Sequence, residues 1–121
     1  MVLTEYPYVP DGGDKKHHVH TNHFIYHPDA KEHPGGLKAS KDRKETACNM
    51  PTPDDLKALC NIMGDTSGEL QPIFRAPQPE VTDVISETMA TAVFDMDARE
   101  LLVYTANPKD CEPTVKIPFL E

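Results

Sequence analysis

Twelve prolines in 121 residues, about twice the usual share, limit what this chain can fold into, because each fixes φ and removes a backbone donor. Many irregular connections follow. The first sixteen residues carry Pro7, Pro10, Gly12 and Gly13 and read as an irregular N-terminal segment with a turn at Pro10–Gly13. His27–Lys38, with two prolines, two glycines and no period, reads as an exposed loop.

Lys15–Tyr26 reads as a strand, since alternation places His18, His20, Asn22 and Phe24 on one face and Val19, Thr21, His23 and Ile25 on the other. Polar groups on one side suit a strand that presents chemistry to a cleft. Ser40 is placed as the cap of a short helix from Lys41 to about Asn49, with a thin apolar stripe. Thr52 is placed as the cap of a second, with Pro53, Asp54 and Asp55 in its first turn and Gly64 as its stop. Leu56, Leu59, Cys60 and Met63 then share its core face.

Gly68–Pro79 is expected to be a docked irregular segment or a single helical turn, and Pro79–Val84 a loop. Thr88–Asp95 and Glu100–Ala106 are expected strands joined across Met96–Arg99. Both carry small or apolar groups on both faces, which suits a sheet covered on two sides. Val115, Ile117 and Phe119 alternate in a last strand, and Pro118 confines it to an edge or an end. The fold class is α+β, with a single modest core. No internal repeat or heptad is present.

Twelve basic against twenty acidic residues give a net charge of -8, which opposes nucleic acid and anionic membrane surfaces as partners. No apolar run approaches the roughly 20 residues a bilayer requires, and no targeting segment is visible at Met1–Pro10. Three cysteines without metal-type or redox-type spacing favour a reducing, cytoplasmic setting. His18 and His20 offer an H-x-H pair, but Asn22–His27 supplies no glutamate to complete a metal site, so none is assigned.

Four pieces of the chain share an order with a known family: His20-Thr21-Asn22-His23-Phe24; Ser40-Lys41-Asp42-Arg43; Thr52–Leu59 followed by Ile73-Phe74-Arg75; and Thr88–Tyr104 closing on Ala106-Asn107-Pro108 and Cys111-Glu112. Together they resemble the C-terminal part of the isopenicillin N acyltransferase-like peptidases (acyl-coenzyme A:6-aminopenicillanic acid acyltransferase-like), which are N-terminal-nucleophile hydrolases. The resemblance implies the later portion of a four-layered αββα sandwich over residues 17–121, acting without a cofactor on a small acylated amine or peptide-like substrate. In the family an N-terminal cysteine attacks the acyl carbonyl and its own α-amino group is the base.

By the same resemblance Asn22 matches an asparagine that holds the oxyanion or orients the nucleophile, projecting into a cavity, and Arg43 an arginine near the nucleophile. His20, His23 and Arg75 are carried over as substrate-binding residues. The pattern departs in two places: no cysteine precedes Cys48, and Lys109 and Asp110 lengthen the family's Asn-Pro-Cys. The chain is therefore expected to lack its nucleophile, which a missing N-terminal segment or companion chain would supply. A non-catalytic, His-containing module of the same fold is the alternative.

Overall fold

A computed structural model describes residues 19–22, 31, 34–68, 72–77 and 87–120. The segment 1–16, most of the expected strand Lys15–Tyr26 (His18, His23 and Phe24 included) and the loop at 79–84 lie outside the described residues. Within them the order is α1 (Pro34–Asn49), α2 (Leu56–Met63), β1 (Thr91–Asp95), β2 (Glu100–Tyr104) and β3 (Val115–Pro118), an α+β arrangement with one antiparallel sheet ordered β1-β2-β3.

The sheet follows from its residues. Val93 pairs with Leu102 and Thr91 with Tyr104, which places all four on one face, and all four are buried. Cys60 packs there with Leu59 beside it, so α2 covers this side and the core is the Cys60–Val93–Leu102–Tyr104 cluster. At the β1–β2 turn Asp95 Oδ1 accepts from the Ala98 amide at 2.8 Å, and Arg99 takes the left-handed conformation (φ 56°) that closes it. Pro118 ends β3, an edge strand, as its missing donor requires.

The opposite face was expected to be covered, and the described residues leave it exposed. Phe94 is 66% exposed, Val115 45% and Ile117 47%, and Phe94 meets Phe119 with ring centroids 6.4 Å apart. Among the described residues nothing covers that side.

Both helix starts differ from expectation. Helix α1 begins at Pro34, inside the expected loop, because a proline in the first turn forfeits no helical hydrogen bond. Ser40 therefore lies mid-helix instead of at its cap, 1% exposed, and shares a stripe with Arg43 and buried Ala47. Helix α2 is capped by Asp55 rather than Thr52: its backbone is extended and its carboxylate accepts from the Ala58 amide at 2.6 Å. The expected core face is only partly buried. Cys60 and Ile62 are buried, whereas Leu56 (37%) and Met63 (36%) sit at the rim.

Gly64 ends α2 as expected, for a reason of space. Its carbonyl accepts from Asn107 Nδ2 at 3.0 Å, and a Cβ on Gly64 would collide with Asn107 Oδ1 and come within 2.6 Å of Lys109 Cβ. Asn107 Oδ1 also accepts from the Lys109 amide, and its carbonyl from the Asp110 amide and the Cys111 thiol. One asparagine thus ties the β2–β3 connection to the end of α2. Gly64→Ala is expected to cost about 2–3 kcal/mol, the range of an overpacked contact plus a lost hydrogen bond, as a lower urea midpoint at unchanged m-value.

Candidate functional site

Four hydrogen-bonding side chains meet where residues 19–22 cross the middle of α1. Val19–Thr21 are irregular and Asn22 lies at a bend, so the expected strand is absent from these four residues. Side chains make the contact instead. Thr21 Oγ1 donates to the Ser40 carbonyl at 2.8 Å and accepts from Ser40 Oγ at 2.9 Å. One turn further along α1, Arg43 Nη2 donates to Asn22 Oδ1 at 2.5 Å. Ser40 and Arg43, three residues apart, face the crossing segment together.

The two residues carried over as catalytic are thus joined, and the charge of Arg75, carried over as substrate-binding, acts on Arg43. Burial, and then the like charge of Arg75, pull the Arg43 guanidinium below its ordinary pKa. Arg75 is held by its backbone: its amide donates to Thr88 Oγ1 and its carbonyl accepts from the Thr88 amide, each at 2.9 Å. Arg43 Nη1 is buried and has no hydrogen-bond partner among the described residues. His20 is exposed beside the crossing, and His23 lies outside the described residues.

A guanidinium can only donate, so Arg43 dictates which end of the Asn22 carboxamide it holds. Oδ1 is taken, and the Nδ2 donors point the other way. Asn22 is an exposed residue and lines neither of the two hollows described next.

One hollow, of about 610 Å³, opens between α2 and the β2–β3 connection, with Cys60, Tyr104, Cys111 and Glu112 in its lining. The Cys60 thiol donates to the Tyr104 phenol oxygen at 3.6 Å. Burial, and next that bond, push the Tyr104 phenol well above its ordinary pKa. The second, of about 340 Å³, lies between the start of α2 and β1. Asn107, the residue that organises the first hollow's loop, carried only a motif match in the sequence; its contact with Gly64 spans 43 positions and has no local signature.

Cys48, Cys60 and Cys111 are free thiols. Among the described residues no three His, Cys, Asp or Glu side chains converge as metal ligands would, and no helix is long and apolar enough to cross a membrane.

No protein-family model matches the chain, and no solved structure does. Among curated proteins it is similar to the beta-alanyl-dopamine/carcinine hydrolase of Drosophila melanogaster, 26% identical over 105 residues that make up 87% of this chain. The match covers 27% of the fly protein, so the chain spans about a quarter of that relative's length. The chain is distantly similar, over most of its own length, to part of a hydrolase.

Proposed function

We propose that this chain is the C-terminal part of a hydrolase or acyltransferase of the N-terminal-nucleophile class, acting on the amide of a small acylated amine. The observation that carries the reading is the Arg43–Asn22 hydrogen bond, which joins two residues separated by 21 positions and orients the carboxamide, within a chain whose curated relative is a hydrolase. The name of that relative denotes a β-alanyl group on an amine, and an acylated amine is the substrate class proposed here.

In the proposed reaction a thiolate from another segment attacks the acyl carbonyl and Asn22 Nδ2 donates to the oxygen as it gains charge. The amine leaves with a proton and water then releases the acid from the thioester; in acyltransfer a second amine takes that place. Arg43 acts as a positioning residue. Cys60, buried with its thiol donating to the Tyr104 oxygen, is poorly placed to be the nucleophile. The uncovered sheet face of Phe94, Val115 and Ile117 supports a second layer supplied by further polypeptide, as an αββα sandwich would provide. The free thiols fit a reducing, cytoplasmic compartment.

Exposure of Asn22 favours a second reading, a non-catalytic module of the same fold. Co-expression separates the two. The chain is paired with an upstream segment whose first strand begins with a cysteine and carries a nearby acidic residue, and amine release from a β-alanyl amine is followed. Hydrolysis by the pair is the expected result; a stable, folded pair without turnover defeats the hydrolase reading.

A further inference from the structure

We propose that the hollow of about 610 Å³ between α2 and the β2–β3 connection binds a small molecule carrying a primary ammonium group and a carbonyl or hydroxyl oxygen. Cys60, Tyr104 and Pro108, all buried, form its floor, and exposed charged residues stand around its rim. Small-molecule sites typically measure about 300–1,000 Å³, so the space suffices. The floor sets the oxygen. Tyr104 is 2% exposed, and its phenol oxygen accepts from the Cys60 thiol at 3.6 Å, yet the phenol hydrogen has no acceptor among the described residues. A buried donor is costly to leave unmade, and a carbonyl or hydroxyl oxygen in the hollow completes it.

The rim sets the ammonium. Asp55 is taken up as the cap of α2, whereas the carboxylates of Asp110 and Glu112 have no hydrogen bond or ion pair among the described residues. Lys57 and Lys109 share the lining, but the three carboxylates outnumber them and the whole chain carries a charge of -8, so a cation is drawn in and an anion opposed. Among the described residues no three His, Cys, Asp or Glu side chains converge as metal ligands would; an ammonium needs only one carboxylate and hydrogen-bonding neighbours. The shape is fixed in advance. Asn107 Nδ2 donates to the Gly64 carbonyl at 3.0 Å, and the Asn107 carbonyl accepts from the Asp110 amide at 3.0 Å and the Cys111 thiol at 3.1 Å. Binding therefore has little backbone left to order.

Neither Asn22 nor Arg43 lines this hollow, so binding here is read apart from the reaction proposed above. An inactive pair that still takes up the ligand would sink the reaction and leave this site standing. The test is a titration of the ¹⁵N-labelled chain at constant ionic strength, following the amide signals of Lys57, Cys60, Asp110 and Glu112. The probes are 3-aminopropanamide, which has both groups, propylamine and propanamide, which have one each, and sodium propanoate. Saturable shifts of those signals are expected with 3-aminopropanamide, about tenfold tighter than with either single-group probe. The double variant Asp110→Asn, Glu112→Gln, at exposed positions, should weaken binding about tenfold by removing the charge. Tyr104→Phe should weaken it about fivefold by removing the donor. If that variant fails to fold, the ratio of 3-aminopropanamide to propylamine affinity reports the same bond. Propylamine binding as tightly as 3-aminopropanamide, tighter binding of propanoate, shifts that do not saturate, or undiminished affinity in the folded double variant would overturn the proposal.

Discussion

Asn22→Ala is expected to lower turnover by the complemented chain about 10²- to 10³-fold, the loss that follows removal of one preorganised donor to a developing oxyanion. The fall should lie in kcat rather than KM, because the bond strengthens only as the carbonyl oxygen gains charge. Asn22→Asp is the informative companion. It keeps the shape and draws Arg43 closer, yet it has no Nδ2 to donate, so its loss should match that of alanine. Were Asn22→Asp to keep most of the activity, the side chain would be acting through its contact with Arg43 and the oxyanion role would be wrong. Single-turnover kinetics with a chromogenic acylated amine would resolve the two.

Leu102→Ala is expected to cost about 3–4 kcal/mol of unfolding free energy, within the range for buried leucines truncated in a core that collapses only in part. Leu102 is 1% exposed on the central strand, facing Val93 across the ladder with Cys60 in the same cluster. In a domain of this size the loss should appear as a melting temperature lower by about 15 °C. Phe94→Ala is the control from the other side of the same sheet. With Phe94 66% exposed, its truncation should stay within about 0.5 kcal/mol. A large cost at Phe94 would show that its face is covered in solution, by a second copy or by other polypeptide.

How much of this was legible in the sequence depended on whether the cause was local. The β1–β2 hairpin, the edge position of β3 and the stop at Gly64 were legible because alternation, turn length and single-residue chemistry decide them. The cap of α2 was not. Thr52 and Asp55 are both good caps, and residue type alone does not say which of them takes the extended backbone and reaches the amide three positions on, as Asp55 does. Ser40 misled for a similar reason: its hydroxyl suits a cap, but it bonds Thr21, nineteen positions earlier. The Asn22–Arg43 pair entered through resemblance alone. Period and propensity show that both residues are polar, and say nothing of their meeting.

The contact between residues 19–22 and α1 is made of hydroxyls, a carboxamide and a guanidinium, whereas α2 is fastened to the sheet by apolar packing. Polar contacts of that kind resist opening less than a packed cluster does, so residues 19–22 are set up to lift from α1 while the sheet stays intact. The Thr21 and Asn22 amides should then exchange with solvent at a lower free energy than those of β2. The Asn22–Arg43 geometry exists only in molecules where residues 19–22 are seated on α1, so under the reaction proposed above that local equilibrium would set the fraction of molecules able to turn over.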